Sequence, residues 1–403
     1  MRIGVLTFYN NANFGANLQA LSTYRYLLNN GHEPVFINYK SKANLMRWTK
    51  KQQENAQFKA HIEFVKKYIY KQTEFCSNTE ELREILCKYK IEGIILGSDA
   101  VLQHHPLISR LKKGRYLPVK VNKYMSEMMY PNPFWGDGFS DIIPTAMMSV
   151  SSQNSEYMDF ASWTKAKMRK NLQSMRYVSV RDTWTQKMIE SITGDLVEIT
   201  PDPVFAFNYN AEDTILSKEE IVKKYSIPND YVLISLRGQC LEVAQLDEIK
   251  EKFDNLGLTC VALTMPEGVL FHHNFEHSIV PSLPSNDWYA LIKYSSGYIG
   301  SNMHPIVVCL HNAVPCVSLD NWGRTNYFGN KINDGSSKVE HIMKEFGVGD
   351  NHHMINDGKC IISTDQLIKE IVKFPKQQVS EHSKIMLERY KEMMEAIITS
   401  LAK

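Results

Sequence analysis

The chain has 403 residues, 43% of them hydrophobic, and a formal net charge of +2. This length favours two domains, and the composition excludes a disordered or fibrous protein. Nucleic-acid binding is disfavoured, because no zinc-finger spacing or aromatic RNA-binding signature accompanies the basic residues. We find no early signal segment and no apolar run long enough to cross a bilayer, and we therefore expect a cytoplasmic protein.

The first forty residues predict one β-α-β unit. A strand Arg2–Phe8 is followed by a polar loop Tyr9–Asn17, a helix over about Leu18–Leu28 and a strand Pro34–Tyr39. Fully apolar runs on either side of a helix are typical of parallel strands joined by a crossover.

Helical periodicity continues in Gln57–Tyr70 and Thr79–Tyr89, and strand Gly93–Leu96 then leads directly to Gly97-Ser98-Asp99. The segment Ala100–Asp141 is basic and has weak periodicity. We interpret it as an elaborate loop region on the side of the active site.

Strands and helices then alternate up to a proline-rich turn. The predicted elements are strand Ala146–Val150, helix Lys165–Ser174, strand Tyr177–Val180, a helix from Thr183, and strand Leu196–Ile199. Because Pro201-Asp202-Pro203 cannot continue regular structure, the domain boundary is placed just after it.

A second alternating set follows the boundary. Its strands are predicted at Tyr231–Leu236, Leu258–Leu263, Tyr298–Gly300 and Cys316–Leu319, and its helices at Val243–Asn255, Asp287–Tyr294, Ile306–Leu310, Lys338–Phe346, Asp365–Lys373 and Val379–Leu401. The pattern indicates an α/β protein with two doubly wound, Rossmann-like domains that face a cleft, similar to the GT-B arrangement. We predict domains at 1–207 and 208–375, and a C-terminal helix within 376–403 that packs back on the first domain.

Several common sites are excluded by their missing signatures. The chain contains no G-x-G-x-x-G after an opening strand, no P-loop and no G-x-S-x-G elbow. Its seven cysteines are scattered without a C-x-x-C pair, which favours reduced thiols. The adjacent histidine pairs lack the spacing of helical metal ligands, so no metal site is expected.

Basic residues are concentrated in two segments. Lys40–Phe75 has nine Lys/Arg against three Glu, and Arg110–Lys123 has six Lys/Arg and no acid. Such segments are either solvated surface or a surface for anionic lipid headgroups or phosphate groups. We therefore predict peripheral contact with the inner face of an anionic membrane as the functional alternative.

Five short motifs, in this order, resemble the polysaccharide pyruvyl transferase family. They are IGVLTFYNNANFGANLQAL at the start, GIILGSD ending at Asp99, VSVRD around Arg181, Pro201-Asp202-Pro203, and SNMHP at Ser301–Pro305. The resemblance implies a GT-B-like fold, phosphoenolpyruvate as donor, a pyruvate ketal formed on a sugar, and no metal or organic cofactor. The chain departs from the pattern at Asn302, where some members have arginine, at Pro305, which replaces a glycine, and after Asp99, where Ala100–Gln103 replace a tryptophan-containing continuation.

Ketal formation from an enol phosphate needs an acid, a base and a cation for the donor. His304 is the candidate general acid or phosphate partner, or else only a helix cap. Arg181 can bind a carboxylate or phosphate bidentately, or else forms an ion pair with Asp182 or Asp202. Asp99 can accept the proton of a sugar hydroxyl, or else caps a helix.

Two groups of binding residues complete the predicted site. The donor side comprises Arg181, Ser301, Asn302 and His304, and the acceptor side comprises Asn10, Asn11, Asn13, Gly15, Asn17 and Asp99. Trp135, Trp163, Trp288 and Trp322 are candidates for stacking on a sugar ring, although aromatic residues are more often core.

The leading hypothesis is a pyruvyltransferase that acts on a sugar of a surface polysaccharide or its lipid-linked precursor, with phosphoenolpyruvate as co-substrate. One alternative is a GT-B glycosyltransferase that uses a nucleotide sugar. Another is a catalytically silent glycan-binding relative, which the departure at Asn302 favours.

Overall fold

Two parallel β-sheets, one in each half of the chain, organise the fold. The structure is a computed structural model and describes residues 1–114 and 118–403. In chain order the strands are β1 (Arg2–Leu6), β2 (Glu33–Tyr39), β3 (Gln72–Cys76), β4 (Gly93–Asp99), β5 (Leu111–Lys113), β6 (Val119–Val121), β7 (Thr145–Val150), β8 (Tyr177–Val180), β9 (Glu198–Ile199), β10 (Tyr231–Ser235), β11 (Thr259–Leu263), β12 (His277–Ile279), β13 (Gly297–Gly300), β14 (Cys316–Asp320) and β15 (His352–Met354).

Helices connect these strands and cover both faces of the sheets. They are α1 (Phe14–Asn29), α2 (Lys42–Glu54), α3 (Ala56–Tyr68), α4 (Thr79–Lys88), α5 (Leu107–Arg110), α6 (Ser162–Ser174), α7 (Thr183–Thr193), α8 (Phe207–Ala211), α9 (Lys218–Tyr225), α10 (Val243–Asp254), α11 (Ser285–Lys293), α12 (Met303–His311), α13 (Lys338–Glu345), α14 (Thr364–Val372) and α15 (Lys376–Leu401). None of the helices in the described residues is long and apolar enough to cross a membrane.

The strand orders confirm two doubly wound units. The first sheet has the order β3-β2-β1-β4-β7-β8-β9, and the second has β12-β11-β10-β13-β14-β15. Every pairing within these two sheets is parallel, and Val5 at the centre of the first sheet lies between Phe36 and Ile95. Strands buried on both faces read as continuous apolar runs, which explains why the sequence predicted most of them.

The C-terminal helix returns to the first domain, as predicted. Arg389 of α15 donates from Nη2 to the carbonyl of Ile199 at 2.5 Å, and Met393 Sδ lies 3.2 Å from Ser149 Oγ. The helix begins at Lys376, three residues earlier than predicted, immediately after Pro375. Because α15 also contacts α12, it ties the two domains together.

Several elements differ from the sequence prediction. Helix α1 begins at Phe14 rather than Leu18, because the Asn13 side chain caps it and accepts from the N–H of Ala16 at 3.2 Å. Helix α2 was not predicted, since none of its residues is buried and it has no apolar stripe to read. The short strands β3, β12 and β15 and the helices α8 and α9 were also missed. The region Ala100–Asp141 is largely irregular, with one antiparallel hairpin, β5–β6; residues 115–117, including the basic Arg115, lie outside the described residues.

Buried contacts fix one domain against the other beside the cleft. The rings of Phe14 and Trp288 are stacked with centroids 5.0 Å apart. Asn17 donates to Ser285 Oγ at 3.3 Å, and the Gln57 side chain both donates to the carbonyl of Leu283 and accepts from its N–H, each at 2.7 Å. Because these groups are buried and bond one another across the interface, the two walls of the cleft are held at a set separation.

Candidate active site

The carboxyl ends of strands from both sheets meet at one cavity of about 430 Å³. In parallel α/β sheets this edge is where ligands bind, because loops and helix N-termini converge there. Polar and charged side chains on its wall come from both domains and include Asn11, Asn13, Lys40, Arg47, Lys51, Asp99, Gln103, Glu127, Gln153, Arg237, Glu267, Asn302, His304 and Lys338. The region Ala100–Asp141 contributes to this wall, as predicted, through Gln103, Met125, Glu127 and Met128.

The N-terminal wall is the Asn-rich loop and the start of α1. Asn11, Asn13 and Gly15 line the cavity. A Cβ atom built on Gly15 would lie 2.0 Å from Cγ of His304, far inside contact distance. Glycine at this position therefore lets the backbone of α1 pack directly on the imidazole of the opposite domain.

The C-terminal wall is the start of α12, where Asn302 and His304 line the cavity. The Asn302 side chain makes no capping hydrogen bond, so it does not accept from the first N–H groups of the helix. The Nε2 atom of His304 is buried and has no hydrogen-bond partner among the described residues. Pro305 has no N–H, which leaves this helix start with one donor fewer than a glycine would give.

His304 is held neutral in this arrangement. Burial lowers the pKa of its imidazole to about 4; the carboxylates of Asp202 and Asp99 act against this shift, while the charges of Arg181 and Lys338 add to it. A neutral imidazole has one N–H and one lone pair, so His304 can either donate to a ligand or accept from it. It becomes an acid only if a bound anion raises its pKa.

Asp99 belongs to a buried charge network. The guanidinium of Arg181 lies 2.9 Å from Asp202 Oδ2 and 3.4 Å from Asp99 Oδ1. Burial raises the pKa of the Asp99 carboxyl, but Arg181, His304 and Lys338 outweigh it and bring the pKa below its ordinary value. Asp99 is therefore an ionised carboxylate on the cavity wall, held in place by Arg181 from behind.

Lys338 is the functional candidate that the sequence analysis missed. It is 9% exposed and lines the cavity, with Nζ 4.9 Å from the ring centroid of Trp322. Burial lowers its pKa to about 8, Arg181 adds to the lowering, and the nearby carboxylates, Asp99 first, oppose it. No carboxylate forms an ion pair with it in the part of the chain that the structure describes, so its charge is free to meet an anionic ligand.

The outer part of the cavity is also basic. Lys40 is buried at the end of β2 and donates to the carbonyl of Tyr9 at 3.4 Å; burial lowers its pKa to about 8, and Glu127 opposes the shift. Arg47 and Lys51 of α2 reach the same wall. These cations come from the first basic segment of the sequence, which thus partly faces the cavity.

Four of the candidate residues lie behind the wall. Arg181 and Ser301 are buried and do not line the cavity. Asn10 donates to Asn38 Oδ1 at 3.3 Å, and Asn17 holds the domain interface. Of the two structural alternatives for Arg181, the pair with Asp202 forms, together with a pair to Asp99 that the sequence did not indicate.

The four candidate tryptophans also divide into two that line the cavity and two that do not. Trp288 and Trp322 line the cavity, where a sugar ring could stack on them. Trp135 is fully buried in the first domain. Trp163 is 69% exposed and lies outside this cavity. Among the described residues, no group of three His, Cys, Asp or Glu side chains is arranged to hold a metal ion.

Two solved structures share this architecture over nearly their full length. The UDP-GlcNAc 2-epimerase from Neisseria meningitidis, solved with UDP-GlcNAc bound, aligns over 99% of this chain and 100% of its own, with a TM-score of 0.54 and 10% identity. A proposed UDP-N-acetylglucosamine 2-epimerase from Listeria monocytogenes aligns over 95% and 91%, with a TM-score of 0.52 and 10% identity. At this identity the likeness shows the fold alone, and it confirms the GT-B-like arrangement. The comparison with curated proteins finds no match.

At the level of sequence, a family model described as polysaccharide pyruvyl transferase matches residues 13–323. This span begins at the cap of α1 and includes Asp99, Arg181 and His304, whereas Lys338 lies just beyond it. The match covers most of the chain, and it confirms the family that the short motifs in the sequence indicated. The chain belongs to the polysaccharide pyruvyl transferase family.

Proposed function

We propose that this protein transfers the pyruvyl group of phosphoenolpyruvate to two hydroxyls of one sugar, which gives a cyclic ketal and inorganic phosphate. The observation that carries the proposal is the pair formed by Lys338 and His304. One is a buried lysine without a carboxylate partner, and the other has a buried ring nitrogen without a hydrogen-bond partner. Both lie on one cavity wall.

A donor with a carboxylate and a phosphate suits this wall. The ammonium of Lys338 can pair with one anionic group, and the free N–H groups at the start of α12 can bind the other. Such contacts also remove the cost of burying an unpaired lysine, because the anion supplies the missing counter-charge. This division of roles supports a dianionic or trianionic donor over a neutral one.

In the proposed reaction His304 acts as the acid. The charge of the bound donor raises its pKa from about 4, so the imidazole gains a proton and delivers it to the methylene carbon, which becomes the methyl group. The central carbon is then cationic, and one sugar hydroxyl attacks it. The C–O bond to phosphate breaks as the second hydroxyl attacks, and the phosphate leaves with the electron pair of that bond and takes up the proton of the second hydroxyl.

Asp99 is the proposed base for the attacking hydroxyl. It is ionised, it lines the cavity, and Arg181 holds it from the buried side. Hydroxyls of the acceptor can also bond the amides of Asn11 and Asn13 on the same wall. We propose a sugar of a surface polysaccharide, or of its lipid-linked precursor, as the acceptor, and we assign Arg181 the role of positioning Asp99 rather than binding the donor.

Calorimetry and a phosphate-release assay test this function together. We expect phosphoenolpyruvate to bind to the purified protein, and phosphate release to depend on an added acceptor glycan. Lys338→Met should abolish donor binding, while Lys344→Met, on the exposed side of the same helix, should leave it unchanged. Binding of a UDP-sugar without binding of phosphoenolpyruvate would instead favour a glycosyltransferase, and glycan binding without phosphate release would favour a silent relative.

A further inference from the structure

Two segments from different domains form one exposed surface of apolar and basic side chains. Six of the 19 large apolar side chains that are exposed in the described residues lie on it: Leu107, Ile108, Val119, Val121, Tyr327 and Phe328. We call this surface the hairpin face. The first four residues belong to α5 and β6, and the last two to the loop after β14.

Contacts between the hairpin and the loop make the hairpin face continuous. The N–H of Lys113 donates to the carbonyl of Tyr327 at 2.8 Å, and the Tyr327 hydroxyl donates to the carbonyl of Pro118 at 2.7 Å. The ammonium of Lys113 lies 5.6 Å from the ring centroid of Phe328. The apolar side chains of the two domains are therefore held beside one another.

The orientation of the hairpin is the reverse of what a solvated hairpin favours. Lys112, opposite Lys120 in the register, turns toward the protein, where Nζ donates to the carbonyl of Thr325 at 2.8 Å and lies 3.4 Å from Glu156. Residues opposite one another share a face, and successive residues along a strand alternate between the two faces, so Val119 and Val121 lie on the face away from Lys112, and both are exposed. A charged side chain, that of Lys112, is thus turned inward and only 17% exposed while two valines face outward, which is typical of an interaction surface.

The charge around these valines selects the partner. Lys113, which lies opposite Val119, and Lys123 are exposed, and the stretch 110–123 contains no acid. A second copy of the chain placed symmetrically on this face would oppose lysines to lysines, which is unfavourable. Exposed apolar side chains surrounded by lysines match the interface of an anionic lipid bilayer, where apolar groups enter the acyl boundary and ammonium groups meet the headgroups.

We propose that the hairpin face docks this protein on anionic lipid membranes, with Phe328 and the valines of β6 inserted at the interface. The binding is peripheral and reversible, because it rests on a few side chains rather than on a spanning segment. It does not depend on the identity of the donor or on the chemistry in the cavity. It goes beyond the sequence prediction by naming the surface and by adding an apolar contribution to the electrostatic one.

Co-sedimentation with lipid vesicles tests this proposal. The wild-type chain should bind vesicles of phosphatidylglycerol and phosphatidylcholine, ignore pure phosphatidylcholine, and dissociate at high salt. Lys113→Gln with Lys123→Gln should lower the partition coefficient about 25-fold, because each basic residue at an anionic surface contributes roughly a factor of five. Phe328→Ser should lower it about tenfold through lost apolar burial.

Matched controls separate this surface from general charge and hydrophobicity. Lys373→Gln with Lys376→Gln removes two exposed lysines elsewhere, and Ile361→Ser removes a side chain that is 96% exposed; neither should change vesicle binding. Melting curves check that each variant folds. Equal binding to neutral and anionic vesicles would overturn the proposal. So would binding that persists in both hairpin-face variants but is abolished by Lys50→Gln with Lys59→Gln.

Discussion

Replacing Lys338 by methionine should increase the stability of the protein and abolish binding of the donor. Burial and the nearby charge of Arg181 lower the pKa of Lys338 from 10.5 to about 8. Because one pKa unit corresponds to about 1.4 kcal/mol, keeping this lysine charged in the fold costs about 3 kcal/mol below pH 8. Methionine has a similar shape and no charge, so the variant should gain up to about that free energy of unfolding at pH 7.

The sign of this effect follows from the two pKa values. The folded-state pKa, about 8, lies below the unfolded value of 10.5, so between these limits the unfolded chain holds a proton that the folded chain has released. The free energy of unfolding of the wild type therefore rises with pH across this window, relative to that of Lys338→Met. Lys40 titrates in the same range, but it is present in both proteins and cancels in the difference.

Urea denaturation of both proteins from pH 7 to pH 10.5 measures this difference, and calorimetry with phosphoenolpyruvate measures binding. The stability advantage of Lys338→Met should be largest at pH 7 and should vanish near pH 10.5. A variant that is less stable than the wild type at pH 7, or a difference that does not change with pH, would refute the description of Lys338 as a buried, unpaired cation.

Three further substitutions test the arrangement around the cavity. Gly15→Ala should cost about 1–3 kcal/mol of stability in urea denaturation and at least tenfold in turnover, because its Cβ overlaps the imidazole of His304. His304→Gln should remove turnover. It should also remove the loss of stability that the wild type shows as pH falls from 6.5 toward 4, because the buried imidazole resists protonation in this window. Thermal melts in which the variant still loses as much stability over this pH range as the wild type would contradict this. Arg181→Met should lose about 3–5 kcal/mol in chemical denaturation, since Asp99 and Asp202 are left buried without their cation; a loss under about 1 kcal/mol would contradict the pairing.

Local sequence patterns predicted the core strands of the sheets but not the exposed helix α2 or the short edge strand β15. The core strands are continuous apolar runs, and Pro201-Asp202-Pro203 ended the first set as expected. Helix α2 has no buried residue, so no apolar period marked it, although its cations reach the cavity. Strand β15 is only three residues long and half-buried, and it is held by its pairing with β14, which no local signal encodes.

The motifs predicted which residues lie at the cavity better than they predicted what each residue does there. Asp99 and His304 lie on the cavity wall, as their positions after strands indicated. Arg181 looks in sequence like a donor ligand, but its separation of 82 positions from Asp99 conceals the pair that they form. Lys338 appears in sequence as an ordinary lysine at a helix start. Its burial results from the packing of α13 beside Trp322 and the charge network, which is a tertiary effect.

In the proposed reaction, the charges of this site explain why the acid, His304, is absent until the donor binds. Arg181 pairs with both Asp99 and Asp202, Lys338 forms no ion pair among the described residues, and His304 stays neutral because it is buried. A polyanionic donor adds negative charge that the wall does not compensate. The imidazole of His304 and the partly deprotonated side chain of Lys338 are the groups that can gain positive charge in response. In the proposed reaction both groups then take up protons, so binding of the donor itself would create the acid that its methylene carbon needs. A histidine with an ordinary pKa would be partly protonated in the empty cavity and would there pair with Asp99, which would occupy the base as well as the acid.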